Sequence, residues 1–408
     1  MKPARTIPLQ DWMTDPAAMA IMNTLQGKMH ENEPVALFVG GCVRNALLGE
    51  PVEDVDIATS LSPEDVIEKL GNVGIKTIPT GLEHGTITAV IGKKRFEITT
   101  LRIDVKTDGR RAVVSYTDDW IEDAKRRDFT VNTLLSDAKG NIYDPLQKGL
   151  EHIAAKKIIF VGNPEKRIEE DYLRILRYFR FHALYGEGAF DEKALKACKK
   201  AAPKIKTLAR ERIAQEFFKI IASDNPTYIL ETMFSQGILT EFDFKENALE
   251  ILRHLCTFQS NYELRALPTR LYVLAAMNFE NLKTMEQRLI FPKIFLKDMQ
   301  ALAGVLALPD LDKDQIVRTA IYRHGRSATA QSLMVELAID RVMNGYAPQA
   351  LKIIQNWPIP NFPINGEDIQ KAGIKPGPEL GQTLRNIENW WIENNFQPDR
   401  KECFKKIS

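Results

Sequence analysis

The stretch from Leu37 to Ala58, LFVGGCVRNALLGEPVEDVDIA, constrains the fold of this chain more than any other segment. An apolar run suited to a strand ends at Gly40-Gly41, and Asp54 and Asp56 stand one residue apart in a second apolar segment. Paired glycines allow a tight turn that brings backbone amides close to a ligand such as a phosphate. On a strand, residues two apart point the same way, so the two aspartates are predicted to present both carboxylates on one face.

Two neighbouring carboxylates suit Mg²⁺, which can bridge a nucleoside triphosphate and an attacking hydroxyl. Each half of the pattern also has an ordinary explanation. A lone Gly-Gly after a strand is usually a turn, and a lone Asp-x-Asp usually lies on the surface. A Gly-Gly turn followed by an Asp-x-Asp pair, with the helix-like segment from Arg44 to Gly49 between them, is a much more specific sign of a functional site. The stretch therefore predicts metal-assisted handling of a nucleotide.

GGCVRN followed by DVD resembles the first motif of the class II nucleotidyltransferases. That family contains the tRNA nucleotidyltransferases that add CCA and the bacterial poly(A) polymerases. The resemblance implies that Asp54 and Asp56 are catalytic and hold Mg²⁺, and that Gly41 and Arg44 bind the triphosphate or ribose. Asn45 stands where many members carry aspartate; it keeps a hydrogen-bonding oxygen but lacks the charge, which leaves its role open.

Length and composition are those of an ordinary soluble protein. The 408 residues allow roughly two to four domains, and 44% are hydrophobic and 27% charged. No apolar run of about 18 residues occurs, so no membrane span is expected. The first residues, MKPARTIPLQDWMTD, lack an apolar signal region, which predicts a cytoplasmic protein. The four cysteines are far apart and are predicted to be reduced thiols.

The net charge of +1 argues against a generally basic nucleic-acid binder. If RNA is the partner, Lys and Arg must be gathered locally, because phosphate contacts supply most of the affinity. Each candidate group is more often only a solvated face. The candidate groups are Lys93-Lys94-Arg95, then Lys199-Lys200 with Lys204 and Lys206, and finally Arg318, Arg323 and Arg326.

Two segments after the first motif bear on the same site. Alternating apolar residues around 92–94 predict a hairpin, and Glu97 lies on its second strand. Two interpretations of Glu97 have equal weight: a third acidic group near the metal, or a solvated glutamate on the strand. The alternation of apolar residues does not distinguish between them.

From Arg102 to Trp120 the chain is polar and is predicted to be a mobile loop. Family members that add the terminal A keep such a loop, so its presence favours addition of A.

RRDFTVN, from Arg126 to Asn132, resembles the second motif of the family. Arg127 offers a rigid planar donor fork that suits phosphate or ribose oxygens, and we expect it to bind the nucleotide. An Arg-Arg-Asp sequence alone is more often a surface ion pair.

EEDYLRILRYFRF, from Glu169 to Phe181, resembles the Glu-Asp-x-x-Arg motif of the family. At about 100° per residue, the apolar residues gather on one side of a helix, and Asp171, Arg174 and Arg177 fall on the other. Arg180 lies about 180° from Asp171, so it is not expected to reach the same base. The resemblance nevertheless implies that Arg177 and Arg180 are among the nucleotide-binding arginines. Without the other motifs, a surface helix with ion pairs would explain the segment equally well.

Asp171 and Arg174 together predict selection of C and A. An ionised carboxylate only accepts hydrogen bonds and a guanidinium only donates them. Cytosine presents an amino group beside the N3 acceptor, and adenine presents one beside N1. Uracil and guanine put a carbonyl oxygen opposite the carboxylate and an N–H opposite the guanidinium, which leaves polar groups unpaired. A protein edge could thus select C and A without an RNA template.

From Asp191 onward the spacing of apolar residues is helical. ARERIAQE, from Ala209 to Glu216, resembles the last motif of the family, and no chemistry is predicted for it. A segment near the end resembles the tail of many CCA-adding enzymes, which implies that it holds the outer part of tRNA. Its Trp390 and Trp391 are predicted to pack within the protein rather than stack on bases.

The sequence therefore predicts an α+β protein in three parts. A nucleotidyltransferase head of the DNA polymerase beta type, with a small mixed sheet, would span 1–160, a helical neck 161–225, and a helical, tRNA-binding body and tail 226–408. The predicted activity is template-independent transfer of CMP, CMP and AMP from CTP and ATP to the 3′ end of tRNA, with Mg²⁺. No membrane or protein partner is implied. An enzyme that adds only A, a poly(A) polymerase and, more distantly, a non-catalytic RNA-binding protein remain as alternatives.

Overall fold

The computed structural model describes residues 1–26, 34–108, 111–240 and 246–407. The chain divides into two compact units, Met1–Glu241 and Phe242–Ser408. The first contains the sheet and the helices that follow it, and the second is helical. The predicted order of a sheet-bearing head followed by helices is confirmed. The boundaries after 160 and 225 stay predictions, and both positions lie inside the first unit.

Most of the described strands belong to one mixed sheet. Its order is β1-β10-β9-β2-β3-β6-β5-β4, with β3 and β6 parallel and the other neighbours antiparallel, whereas β7 and β8 pair separately. The strands are β1 (Arg5–Thr6), β2 (Ala36–Val39), β3 (Asp56–Thr59), β4 (Lys76–Gly81), β5 (Thr86–Ile91), β6 (Lys94–Thr100), β7 (Arg102–Asp108), β8 (Arg111–Tyr116), β9 (Leu135–Ser136) and β10 (Asn141–Tyr143).

Strand β2 lies at the centre of the sheet and is buried along its whole length. Leu37 and Val39 pack with Ala58 and other apolar residues in one core cluster. Phe38 contacts the edge of the Trp12 ring, with 4.9 Å between the ring centroids. Because successive residues of a strand face opposite sides, β2 contributes to packing on both faces of the sheet.

Eleven helices precede or follow the strands in the described part of the first unit. They are α1 (Asp11–Thr14), α2 (Pro16–Gln26), α3 (Gly41–Leu48), α4 (Pro63–Asn72), α5 (Trp120–Lys125), α6 (Gly149–Ala154), α7 (Pro164–Glu170), α8 (Leu173–Tyr185), α9 (Glu192–Ala201), α10 (Arg210–Ala222) and α11 (Pro226–Ser235).

Helix α8 packs through aromatic contacts against the segments that follow α5 and α6. Phe129, which pairs with Phe160 in an isolated bridge, has its ring centroid 5.0 Å from that of Phe181 on α8. Tyr178, also on α8, stacks on Phe160 at 5.4 Å. Aromatic pairs at such distances contribute about 0.5–1.5 kcal/mol each beyond the apolar area that they bury. These contacts hold α8 against the segments that contain Phe129 and Phe160.

The prediction of a loop from Arg102 to Trp120 is wrong in part. β7 and β8 form an antiparallel pair there, and only the short segment around 117–119 separates this pair from α5. Two paired strands satisfy the hydrogen bonds of their backbone N–H and C=O groups without a continuous apolar pattern. The polar composition of this segment therefore gave no sign of the strands. Residues 109 and 110, within the predicted loop, lie outside the described residues.

The second unit is built from amphipathic helices. They are α12 (Glu246–Asn261), α13 (Leu267–Leu274), α14 (Phe279–Met285), α15 (Lys293–Leu306), α16 (Asp314–His324), α17 (Arg326–Ala338), α18 (Ala347–Asn356), α19 (Gly366–Lys371), α20 (Pro378–Glu393) and α21 (Arg400–Phe404). None of the helices described in either unit is long and apolar enough to cross a membrane. The four cysteines are buried free thiols, as predicted.

The two neighbouring tryptophans of α20 differ in burial. Trp391 is 2% exposed within the cluster that includes Ile387 and Cys403, and its Nε1 donates to the carbonyl oxygen of Pro398 at 3.0 Å. Trp390 is only partly buried, with the Lys406 ammonium 4.8 Å above its ring. Both side chains pack within the protein, as predicted.

We expect Trp391→Ala to lower the free energy of unfolding by about 3–5 kcal/mol, because it creates a large cavity and leaves the Pro398 carbonyl without its donor. Trp390→Ala is the matched control and should cost less than half as much. Urea denaturation of the full chain, followed by circular dichroism, compares the two variants. Equal losses would contradict the packing described for α20.

Candidate active site

The chain turns sharply where β2 meets α3. Gly40 has φ of 74°, a left-handed conformation that glycine adopts without strain, and α3 begins at Gly41. The amide of Arg44 donates to the carbonyl oxygen of Gly40 at 3.0 Å, which starts the helix. The predicted glycine turn is therefore present, and both glycines border a cleft of about 420 Å³.

This cleft, which we call the arginine cleft, contains most of the predicted site residues. Gly41, Arg44, Asp56, Arg127, Asp171, Arg174 and Arg177 lie in its wall, whereas Asp54 and Arg180 do not. The complete lining is Gly40, Gly41, Arg44, Asp56, Arg126, Arg127, Asp128, Asn132, Asp171, Leu173, Arg174, Arg177, Phe181 and Arg212. Four of the seven additional residues are polar or charged, so the cleft suits a highly charged ligand.

Asp54 lies outside the strand, contrary to the prediction that both aspartates share one strand face. β3 begins at Asp56, opposite Val39 of β2 and beside Glu97 of β6. β2 ends at Val39 because the glycine turn follows, so the residues before Asp56 have no strand partner on that side. Asp54 is exposed in the connecting segment.

The ionised form of Asp56 is disfavoured by its surroundings. Burial, with repulsion from Glu97 and then Asp54, raises the pKa of Asp56 to about 6, and attraction by Arg127 only partly offsets this. Both acidic neighbours are exposed, so Glu97 is at once a solvated residue and a charge that acts on Asp56. A divalent cation would relieve this repulsion, and carboxylate oxygens are the ligands that Mg²⁺ prefers. The donor set therefore fits such an ion.

A second cavity, of about 400 Å³, borders Asp54 but not Asp56. The basic residues Lys93, Lys94 and Arg95 are exposed on its wall, and Lys94 forms an ion pair with Asp15. We call it the lysine cavity; its lining is Trp12, Asp15, Val52, Glu53, Asp54, Val55, Lys93, Lys94, Arg95 and Phe96. The two aspartates thus face different cavities.

Arg126 and Arg127 share one buried carboxylate, that of Asp123 on α5. Arg126 Nε donates to Asp123 Oδ1 at 2.8 Å, and Arg127 Nη2 donates to Oδ2 at 2.9 Å. Burial alone would raise the pKa of Asp123, but the two guanidinium groups hold it below its usual range. A β carbon on Gly40 would lie 3.8 Å from Arg127 Nη1, so this nitrogen is beside the glycine turn. Asp123 therefore orients Arg127 toward the position where a phosphate would approach the turn.

Asp128 and Asn132, in the second motif, line the arginine cleft and were not identified as candidate site residues from the sequence. Asp128 Oδ2 accepts from Arg177 Nε at 2.8 Å and Nη2 at 2.5 Å, and Oδ1 accepts from Asn132 Nδ2 at 2.9 Å. Burial opposes ionisation, but Arg177 and these hydrogen bonds lower the pKa of Asp128 to about 2. In the sequence RRDFTVN, the spacing of four residues between Asp128 and Asn132 was the only local sign that these two side chains pair.

Arg44 lines the arginine cleft, but protein groups already engage its guanidinium. Nη1 donates to Asn132 Oδ1 at 2.7 Å, and Nη2 donates to Tyr185 Oη at 2.9 Å and to Asn45 Oδ1 at 2.8 Å. Asn45 in turn donates from Nδ2 to the carbonyl oxygen of Pro51 at 2.7 Å. An amide can both accept from Arg44 and donate to Pro51, whereas an ionised aspartate could only accept, which explains how asparagine serves at this position.

Asp171 lies at a break between two helices, contrary to the prediction of one continuous helix. It is the residue after α7, with extended backbone angles of −156° and 108°, and α8 begins at Leu173. Arg212 from α10 donates to both oxygens of Asp171, to Oδ1 at 3.2 Å and to Oδ2 at 2.5 Å. Arg212 belongs to ARERIAQE, the motif for which no chemistry was predicted. Helical periodicity could not show a break that depends on the packing of α10.

The three arginines predicted on α8 have different surroundings. Arg174 Nη1 donates to Glu170 and to the carbonyl oxygen of Arg167 at 2.9 Å, so it is held at the wall of the arginine cleft. Arg177 is paired with Asp128, as described above. Arg180 points away: its Nε donates to Glu216 Oε2 at 2.5 Å, and its guanidinium lies 4.3 Å above the Phe181 ring. The expectation that Arg180 does not reach the same site as Asp171 agrees with this geometry.

The raised pKa of Asp56 predicts an unusual effect on stability. Because the folded pKa of about 6 exceeds the ordinary value of 3.8, ionised Asp56 destabilises the fold, increasingly as the pH rises from about 4 to above 6. Asp56→Asn should therefore raise the free energy of unfolding by about 3 kcal/mol at pH 7.5 and by less than about 1 kcal/mol at pH 4. Urea denaturation in the presence of a chelator measures this. Asp54→Asn is the comparison; it removes only one of the two charges that repel Asp56 and should give a smaller gain. A pH-independent effect of Asp56→Asn would contradict the electrostatic account.

Two family models match this chain. The model for the poly A polymerase head domain matches residues 36–159, which include the glycine turn, both aspartates and Arg127. A model for the probable RNA and SrmB-binding site of polymerase A matches residues 189–244.

Similar proteins cover almost the whole chain. The CCA tRNA nucleotidyltransferase 1, mitochondrial, of Danio rerio is 32% identical over 91% of this chain and 86% of its own length. A CCA-adding enzyme of Streptococcus pneumoniae is 34% identical over 90% and 91%. The crystal structure of the Bacillus stearothermophilus CCA-adding enzyme in complex with CTP has a TM-score of 0.76 at 27% identity and covers 96% of this chain and 95% of that one. The chain therefore belongs to the class II family of CCA-adding enzymes and poly(A) polymerases.

Proposed function

We propose that this chain adds CCA to the 3′ end of tRNA, with CTP and ATP as substrates and without a nucleic-acid template. The observation that carries the proposal is the arginine cleft, which contains Asp56 together with Asp171 and Arg174. A cleft with a carboxylate for the reaction and an acceptor–donor pair for the base suits a nucleotide that is both selected and transferred. The names of the zebrafish and streptococcal relatives support CCA addition, and the Bacillus structure supports CTP as a ligand.

Asp54 and Asp56 are the proposed catalytic and metal-binding residues. Among the described residues, no three His, Cys, Asp or Glu side chains are grouped closely enough to hold a metal unaided. Mg²⁺ is commonly bound through one or two carboxylates together with substrate phosphates and water, so a pair of aspartates suffices. When bound, Mg²⁺ would make the terminal 3′ hydroxyl more acidic and neutralise charge on the leaving pyrophosphate.

Gly41, Arg44, Arg127 and Arg177 are proposed to bind the triphosphate and ribose. Arg127 is the strongest of these candidates, because Nη1 lies beside the glycine turn while its other donors are anchored on Asp123. Backbone amides at the turn and a guanidinium beside it form a suitable anion site. Arg180 was predicted from resemblance, but we do not extend this proposal to it because it does not line the arginine cleft.

The 3′ end of tRNA is proposed to approach from the lysine cavity. Asp54 borders that cavity and Asp56 borders the arginine cleft. In this proposal the RNA end lies on the side of Asp54 and the nucleoside triphosphate on the side of Asp56. Exposed Lys93 and Arg95 can contact phosphates of the RNA strand, which supply much of the affinity for nucleic acid. Attack by a hydroxyl from one side on a phosphate held on the other gives the in-line geometry that phosphoryl transfer requires.

Three RNA substrates distinguish the proposal from its alternatives. A tRNA that lacks CCA should receive two C residues and one A in the presence of CTP, ATP and Mg²⁺, as shown by sequencing of the product. A tRNA that ends in CC should receive one A, and an oligoadenylate primer should not be extended into a long tail. Addition of A to the second tRNA but no addition to the first would identify an A-adding enzyme. Long tails on the primer without incorporation of C would identify a poly(A) polymerase.

Alanine at Asp54 or Asp56 should lower the rate of transfer by at least about 10³-fold, because each carboxylate is proposed to hold the ion that stabilises the developing charge. Binding of tRNA, measured by filter retention, should change less than threefold. Glu53→Ala, beside Asp54 on the wall of the lysine cavity, is the control and should retain transfer. Appreciable transfer by both aspartate variants would refute the assignment, and loss of tRNA binding would point to misfolding instead.

The tRNA-binding role of residues 226–408 and the cytoplasmic location stay predictions. Of the basic groups considered in the sequence, Lys93-Lys94-Arg95 borders the proposed site, while Arg326 is engaged within the second unit, where Nη2 donates to the carbonyl oxygen of Trp357 at 2.6 Å. Basic residues already held in this way are weaker candidates for contacts with RNA.

A further inference from the structure

The carboxylate of Asp171 accepts three hydrogen bonds from the protein. Arg212 donates to Oδ1 at 3.2 Å and to Oδ2 at 2.5 Å, and the amide of Leu173 donates to Oδ1 at 3.1 Å. Asp171 and Arg212 both line the arginine cleft, and their side chains are 18% and 22% exposed. Neither residue is therefore buried away from a ligand in the cleft.

A count of acceptor sites shows what this leaves for a ligand. An ionised carboxylate offers about four lone-pair sites, two on each oxygen. Arg212 and Leu173 fill both sites on Oδ1, and Arg212 fills one on Oδ2. About one acceptor site remains, and it lies on Oδ2. A single acceptor in a fixed direction matches a single exocyclic amino group, which is what cytosine and adenine present.

We propose that Arg212 is a positioning residue that determines base specificity by restricting Asp171 to one open acceptor site. This inference rests on the proposed function, in which Asp171 and Arg174 recognise the base. Without Arg212, the carboxylate would have about three open sites and could turn about its side-chain bonds. It could then accept the N3–H of uracil, a donor that the restricted carboxylate does not meet. Loss of Arg212 would therefore weaken discrimination between C and U as well as affinity for C.

Arg174 is held in a comparable way on the donor side. Its Nη1 donates to Glu170 and to the carbonyl oxygen of Arg167, so its guanidinium is also fixed before a nucleotide arrives. Arg212 is the more informative residue to test, because Glu170 also accepts from Arg167, at 2.8 Å, and its loss would disturb two arginines.

A purely structural role for Arg212 makes a different prediction. The Asp171–Arg212 pair is about one-fifth exposed, and ion pairs that contact solvent contribute only about 0–1 kcal/mol to folding. If the pair only supported the fold, its loss would reduce binding of all nucleotides by the same factor. If Arg212 restricts Asp171, the ratio of affinities for CTP and UTP must change. This ratio separates the two roles.

The test measures dissociation constants of CTP and UTP by isothermal titration calorimetry, and transfer of C and U to tRNA lacking CCA. Arg212→Ala should reduce the preference for CTP over UTP at least about tenfold in both measurements, because the fixed hydrogen-bond pattern is lost. Arg212→Lys, which keeps the charge but cannot grip both oxygens at once, should be intermediate. Arg210→Ala, two residues earlier on α10 and outside the cleft lining, should retain the wild-type preference.

Each outcome decides the inference. An unchanged ratio of CTP to UTP in both Arg212 variants, or no preference in the wild-type protein, overturns it. A reduced ratio in folded Arg212→Lys supports it even if Arg212→Ala fails to fold, which melting curves would show. A wild-type protein that binds CTP in preference to UTP but transfers neither C nor A would refute the proposed function alone, and the binding ratios of the variants would still decide the role of Arg212.

Discussion

The arginine cleft depends on the ion pair between buried Asp128 and Arg177, which is partly exposed. Asp128 follows the arginines of the second motif, and Arg177 belongs to α8, so the pair connects the sheet-bearing part to the helix that is proposed to recognise the base. Burial alone would raise the pKa of Asp128, yet Arg177 and Asn132 bring it to about 2. Removal of Arg177 would leave the buried charge of Asp128 without its counter-charge, which is far more costly than never having formed the pair.

Other polar groups extend this pair across the base of the cleft. Asn132 accepts from Arg44 while it donates to Asp128, and Arg44 donates onward to Tyr185 at the end of α8. The network therefore connects the helix after the glycine turn to α8 at Arg177 and at Tyr185. Because α3 and α8 are held through the same side chains, the distance between the turn proposed to bind phosphate and the residues proposed to recognise the base is set before any nucleotide binds. Such preorganisation lowers the cost of binding a flexible ligand.

Local physical rules made part of this arrangement predictable. The left-handed Gly40 and the strand before it follow from glycine geometry and apolar patterning, and the motifs identified residues that gather in one cleft. What depends on distant partners was not predictable. Asp54 leaves the strand because β2 stops at Val39, and Asp171 leaves the helix where α10 packs beside it. The role of Asp128 was missed for the same reason, since its partner is 49 residues away in the sequence.

Selection of a base without a template requires the protein to fix the edge that a complementary strand would otherwise present. In a duplex, stacking holds the pairing base in place. In this chain, ion pairs hold the proposed acceptor, Asp171, and the proposed donor, Arg174. The break after α7 lets the Asp171 carboxylate face Arg212 while its carbonyl oxygen accepts from the amide of Arg174 in the first turn of α8. One residue thus starts the helix through its backbone and supplies the acceptor through its side chain. A continuous helix would have left that carboxylate free to rotate, and a rotating acceptor cannot distinguish cytosine from uracil by direction.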